Sequence, residues 1–396
     1  MLLVSACGSL PAVGGADKPS SSQADTGSGG SASGAQAVPA DVKMPDPGAL
    51  TSPLLSADVM VYSQNTLDPA TIAKIKAIKD KSGRPAVKAV ETMSMGQFFI
   101  NEQNITYAAV NPATFRRFTP PGTAQTTAVW QRVANGEIAV APAIGRKVGQ
   151  KNGYMKLGNE SEAKTIHIGA YAQILDPTLA QHIDAVVNDK WASKLGMRTD
   201  NAMLVSLGST SPQSIRKQLQ QYAGTKASVQ ILGPDLDINA TQTAFLTGGS
   251  VAAAVGSFSY TAHPDGTVSP DPKWVAAKIR SEDMPIIGRV TCNSVMLPRL
   301  KAALKQVLLR GLASKIYHYD GCYVPRFIGH DPSLGLSFHT FGTAIDLNAS
   351  DNQRGTPGKM DRGVVAIFKS CGFNWGGDWH YTDPMHFELA RFVARC

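Results

Sequence analysis

The composition of this chain breaks near residue 52, and the break decides how much of it can fold. Residues 8 to 52 are dominated by Ser, Gly, Ala and Pro, as in Ser20-Ser21-Ser22 and Gly27-Ser28-Gly29-Gly30-Ser31. Such a stretch buries too little apolar surface to offset the entropy of ordering it. It is expected to be a disordered tether, some tens of ångströms across on the rough square-root scaling of Gly/Ser-rich chains. The full 396 residues are 43% hydrophobic and 17% charged, the balance of a folded protein with two or three domains. The net charge of +8 includes no Lys/Arg block and no basic stripe interleaved with aromatics, which argues against nucleic-acid binding. No run of eighteen apolar residues is present, so no membrane-spanning helix is expected.

Past the tether the pattern alternates strand and helix up to residue 235. Asp58 to Ser63 reads as a strand, and Asp68-Pro69 then opens a helix through Ile72, Ile75 and Ile78. Val87 to Glu91 and Ile105 to Val110 return as strands. A similar unit recurs, with a strand Ala202 to Ser206, a helix after Ser211-Pro212 through Ile215 and Leu219, and a strand Val229 to Leu232. The two units look like an internal duplication, and 53–235 reads as an α+β domain with small sheets. Residues 236–254 are small and read as a connection to a last domain, 255–396. There Phe258 to Val268 reads as a hairpin turning at Pro264-Asp265-Gly266. Pro298 to Leu312 reads as a helix burying Leu300, Leu304, Val307, Leu308 and Leu312.

The ends of the chain carry cysteines. Val4-Ser5-Ala6-Cys7 resembles a bacterial lipobox, in which the cysteine becomes the lipidated first residue. Six residues are too few for a signal's charged and apolar regions. Either the start lies upstream or the signal has been removed, so 1–7 reads as a signal remnant. Joined to the tether, this implies a cell-surface lipoprotein held at the membrane by a lipid anchor. Cys292, Cys322, Cys371 and Cys396 are confined to the last domain and suggest two disulfides, with three pairings open. Cys292 and Cys322 flank a predicted helix, which favours pairing them and leaves Cys371 with Cys396. No C-x-x-C spacing supports a four-cysteine zinc site.

The chemistry concentrates in Ser337-Phe338-His339-Thr340-Phe341-Gly342-Thr343-Ala344-Ile345-Asp346 and, forty residues on, Asp383-Pro384-Met385-His386-Phe387-Glu388-Leu389. A catalytic zinc takes three protein ligands and keeps a fourth position open. His339, Asp346 and His386 supply two imidazoles and a carboxylate. Asp383, three residues before His386, is placed to accept a proton from water.

This pairing resembles the LAS-type zinc peptidases, which comprise D-alanyl-D-alanine carboxypeptidases and dipeptidases and L-alanyl-D-glutamate endopeptidases. Their signature S-x-H-x-x-G-x-A-x-D followed by (D/E)-x-x-H is present at every position. The resemblance implies a small antiparallel-sheet zinc peptidase domain with Zn2+ held by His339, Asp346 and His386 and with Asp383 as the base. It also implies that Arg326 steadies the polarised carbonyl and that Ser337 hydrogen-bonds behind the ligands. The implied substrate is a peptidoglycan stem peptide, and the Asp base and Asp-Pro-Met-His-Phe-Glu ending look more like the endopeptidase branch. D-alanyl-D-alanine carboxypeptidase activity is the alternative, and a non-catalytic zinc-binding envelope protein the other class.

Glu388 reads as structural, and Trp375 and Trp379 as either cleft wall or core. His167, His182, His263, His318, His330 and His380 read as ordinary packed or surface histidines. A second, diffuse resemblance links Gly136 to Ala141, Gly149 to Gly153 and Trp191 to Met197 to the extracytoplasmic domain of macrolide-exporter-type ABC permeases. It implies an envelope protein partner for 53–235 rather than catalysis.

Overall fold

Proline at a first helical position loses no hydrogen bond and already holds the right φ, so Asp68-Pro69 and Ser211-Pro212 both begin helices. In the computed structural model Asp68 accepts the Ala70 amide at 3.0 Å and caps α1 (Pro69–Lys76), and α2 spans Pro212–Ala223. The structure describes residues 38–396 apart from 101–102, 150–151, 159–162, 180–182, 234–239, 248, 380, 395 and the side chain of 333. Cys7, His182, His380 and most of the expected tether lie outside the described residues. No helix among the described residues is long and apolar enough to cross a membrane.

The strands before residue 235 are β1 (Val59–Tyr62), β2 (Ala89–Ile100), β3 (Gln103–Val110), β4 (Ile138–Val140), β5 (Tyr154–Lys156), β6 (Thr165–Tyr171), β7 (Ala185–Asn188), β8 (Ala202–Ser206) and β9 (Ser228–Ile231). They join in one nine-stranded sheet of order β5-β6-β4-β7-β3-β2-β8-β1-β9, rather than the small sheets expected from sequence. The joins are long-range pairs such as Tyr107 with Ala185 and Ala89 with Ser206, which leave no local signal.

At one end of the sheet, β1 runs antiparallel to both β8 and β9, and β2 antiparallel to β8. The unit β1-α1-β2 therefore steps over β8, and β8-α2-β9 steps over β1. Two interlocked split β-α-β units result, the ferredoxin-like arrangement. Ile75 and Ile78 meet Ile215 and Leu219 over Val59, Val61, Met203 and Val205 in one buried layer. The opposite face buries Met60, Tyr62 and Leu204 against a second layer that includes Phe115 and Trp130.

Packing begins earlier than residue 53. Val42 is fully buried, its carbonyl accepts Asn188 Nδ2 at 2.7 Å, and the Met44 amide donates to Ala134 at 2.8 Å. The tether reading is corrected for 38–52, where the buried Val42 and hydrogen bonds to the main chain at Val42, Lys43, Met44 and Gly48 dock the segment. The stretch expected as a connection also holds structure, because β10 (Gln242–Ala244) pairs with β11 (Phe258–Ala262), and β11 with β12 (Val268–Pro270).

The chain continues with the hairpin β13 (Ile279–Met284) and β14 (Gly288–Asn293), then α3 (Leu297–Leu309). Leu300, Leu304 and Val307 of α3 are buried as expected, whereas Leu308 is 53% exposed. A four-stranded antiparallel sheet follows, of order β15 (Tyr319–Gly321), β16 (Ala344–Leu347), β18 (His386–Leu389), β17 (Phe373–Trp375). The single turn α4 (Phe338–Phe341) precedes β16, and α5 (Arg362–Ser370) lies between β16 and β17. Behind this sheet α3 and α5 close a core of Leu300, Leu304, Val364, Phe368, Phe373 and Phe387. Cys292 is bonded to Cys322 and Cys371 to Cys396, the pairing favoured from sequence.

Candidate active site

The ten-residue motif folds as a capped turn feeding a strand. Ser337 Oγ accepts the His339 amide at 3.3 Å and starts α4. Gly342 ends the turn in the left-handed region at φ 64°, where a Cβ would lie 2.7 Å from the Asn293 amide nitrogen. Only glycine satisfies both constraints. The chain then enters β16, where Ala344 stands opposite Glu388 and Asp346 stands opposite His386. Side chains directly opposite in an antiparallel pair are neighbours, so the sheet register brings two of the three ligand candidates together.

The later motif is a β-turn. The His386 amide donates to the Asp383 carbonyl at 3.0 Å, with Pro384 in the position its fixed φ favours. The turn puts Asp383 and His386 at its two ends and explains their spacing. Asp383 is buried, its amide donating to the Gly376 carbonyl at 2.9 Å. Trp375 Nε1 donates to the Pro384 carbonyl at 2.8 Å, and the Trp379 ring lies 5.3 Å from that of His386. Both tryptophans are buried and pack around the turn.

His339, Asp346 and His386 converge. His339 Nε2 is 3.2 Å from His386 Nδ1 and 3.2 Å from Asp346 Oδ2, and His386 Nδ1 is 3.0 Å from Asp346 Oδ1. A tetrahedral ion with ligands at about 2.0–2.2 Å holds them roughly 3.3–3.5 Å apart. The two ring nitrogens and the nearer carboxylate oxygen to each lie a few tenths of an ångström inside that spacing, and these residues form a group able to hold a metal ion. His339 Nδ1 lies 2.9 Å from the Cys322 carbonyl. A carbonyl only accepts, so Nδ1 carries a proton and Nε2 is the ring atom turned toward Asp346 and His386, the one available to a metal. Burial pushes the Asp346 carboxyl up, but the two imidazoles beside it outweigh burial and hold it well below the usual carboxylate range. The donor set fits zinc.

Further polar groups stand around the three ligand candidates. The Arg326 amide donates to Thr340 Oγ1 at 2.8 Å and its carbonyl accepts the Ser337 amide at 3.0 Å, which fixes its backbone beside α4. The half-buried Arg326 side chain donates to the Phe327 carbonyl at 3.3 Å. Glu388 is fully buried, with Oε2 3.8 Å from His386 Nε2. Sequence reasoning missed the Cys322 carbonyl, because a main-chain acceptor has no residue signature. It also missed Asn293, whose Nδ2 donates to the Phe341 carbonyl at 3.0 Å and ties down the end of α4. His167, outside the site, sits 2.6 Å from Glu137 in an ordinary polar pair.

A capped histidine turn and a two-stranded carboxylate–histidine pair bring together one group able to hold a metal ion. Residues 331–389, which carry all three ligand candidates and Asp383, match the family model described as D-alanyl-D-alanine carboxypeptidase. The similarity concerns this segment of the chain.

Proposed function

We propose that this chain is a zinc-dependent peptidase that hydrolyses peptidoglycan stem peptides outside the cytoplasm, by endopeptidase cleavage of the L-alanyl-D-glutamate type. The observation that carries the reading is the convergence of His339 Nε2, His386 Nδ1 and Asp346 within 3.0–3.2 Å, inside the segment that matches a peptidase family. What zinc supplies when bound is Lewis acidity, which acidifies water and polarises a carbonyl. The protein's residues do the rest. Asp383 takes one proton from the water that attacks the scissile carbonyl carbon. Arg326 stabilises the negative charge that develops on the carbonyl oxygen. Asp383 then hands its proton to the departing amine, and the new carboxyl group loses water's other proton to solvent, leaving a carboxylate and a free amine.

The description of the matched family favours a second reading, removal of a terminal D-alanine. Digesting defined stem peptides and identifying products by mass spectrometry separates the two. Free D-alanine supports the carboxypeptidase, and a new N-terminal D-glutamyl product supports the endopeptidase. Absence of either product under zinc-replete conditions would leave a non-catalytic zinc-binding protein.

The extracytoplasmic location is supported by the two disulfides, which persist in oxidising compartments. Anchoring through Cys7 is part of the same proposal, and Cys7→Ser tests it by fractionation of the protein expressed with a full signal. Identical partition of the two forms into the soluble fraction would refute the anchor.

A further inference from the structure

Twelve-residue β2 serves two bodies. Its first part, Ala89 to Met93, pairs with β8, and the remainder, Ser94 to Ile100, pairs with β3, with Gln97 also bridging to Leu246, and extends toward the C-terminal core. Side chains alternate along a strand. Accordingly Phe98 and Ile100 are buried in the core of the nine-stranded sheet, while Phe99 is buried in the other core, with the residues of α4 and β16. The Phe99 ring lies 4.0 Å from Phe338 and 5.4 Å from Phe341, the two phenylalanines of the α4 turn that carries His339. On its other side Phe341 meets Phe258 at 5.3 Å, and Phe258 meets Trp274 at 4.1 Å.

The contact is reinforced at its edges. Gln97 donates its amide to Phe245 at 2.6 Å and accepts from the Thr247 amide at 2.8 Å. A Cβ on Gly335 would lie 2.7 Å from Asn104 of β3, so the loop before α4 sits directly on the hairpin. A single helical turn has no independent stability. What holds α4 in place is its cap, the Asn293 bond, the bonds from Thr340 and Ser337 to the Arg326 backbone and this aromatic clamp.

We propose that Phe99 is a positioning residue for the metal site, fixing the α4 turn and through it the direction of the His339 Nε2 lone pair. The nine-stranded sheet thereby supplies part of the support of the catalytic centre instead of being only a spacer. The inference rests on the reading of His339, Asp346 and His386 as a metal centre.

Phe98 and Phe99 provide an internal control, since they are buried neighbours on opposite faces of one strand. Phe99→Ala, Phe99→Leu and Phe98→Leu in the full chain are titrated with cobalt(II), reading affinity by chelator competition and ligand geometry by the visible spectrum. Phe99→Ala should bind cobalt about tenfold or more weakly with an altered spectrum, the size of effect seen when groups that orient metal ligands are removed. Phe99→Leu should show the same change in smaller measure, and Phe98→Leu should lower the melting temperature while leaving the spectrum unchanged. Unchanged affinity and spectrum in folded Phe99→Ala would overturn the inference. If that variant does not fold, an unchanged Phe99→Leu overturns it. Equal spectral change in Phe98→Leu also overturns it, because the effect would then be general destabilisation. A wild-type protein that binds no cobalt overturns the metal-centre reading and this inference with it.

Discussion

Asp346 and His386 face each other across the antiparallel pair β16–β18, with Oδ1 and Nδ1 3.0 Å apart. A one-residue slip of either strand would turn one of them to the opposite face. The register that packs Ile345 and Phe387 into the core therefore also brings the two ligand candidates together, and the core and the site stabilise the same pairing.

Metal content tests the site directly. The purified chain should hold about one zinc, because three converging ligands make one site. His339→Ala and His386→Ala should each lose the metal and the peptidase activity together. Metal analysis that finds either variant fully loaded would place the ion elsewhere.

Asp383 should be separable from the ligands. Asp383→Asn is expected to keep zinc, since the three-residue group is complete without it. Turnover should fall by about 10²–10⁴-fold or more, the usual cost of removing a general base. Loss of zinc with unchanged activity per bound metal would make Asp383 a ligand instead.

Gly342 should be intolerant of a side chain. Its φ of 64° and the 2.7 Å approach of Asn293 combine conformational strain with a backbone clash. Gly342→Ala should cost about 2 kcal/mol or more, since the left-handed conformation alone costs roughly 1–2 kcal/mol. Thermal melting would show it, and metal affinity should fall in parallel because Gly342 ends the turn that carries His339. A variant that melts with the wild type would refute this.

Glu91 gives the α+β region a pH signature. Burial pushes its carboxyl up to about 7, only partly countered by the Thr114 hydroxyl at 2.6 Å. Unfolded glutamate titrates near about 4.3, so between these values the native state binds more protons than the unfolded chain. Stability should therefore fall as pH rises from about 4 to 7 through this group. Glu91→Gln should raise the melting temperature above pH 7 and lose that advantage on acidification toward pH 4. A gain independent of pH would show that Glu91 remains ionised in the native state.

Much of the C-terminal region was legible in the residues themselves. The spacing of Ser337, His339, Gly342, Ala344 and Asp346 encodes a cap, a turn, a left-handed glycine and a strand, each set by local backbone chemistry. Asp383-Pro384-Met385-His386 encodes a β-turn for the same reason, and the helix starts at Pro69 and Pro212 were equally local. Tertiary structure alone decided the rest. It interlocked the two strand–helix–strand units, docked 38–52 against the sheet and placed Phe99 in the core that holds Phe341 and Ile345. It also turned the Cys322 carbonyl toward His339. A local motif constrains dihedral angles and hydrogen bonds within a few residues. Which strand pairs with a strand a hundred positions away depends on burying apolar faces on both sides of the sheet, and that is settled only when the whole chain packs.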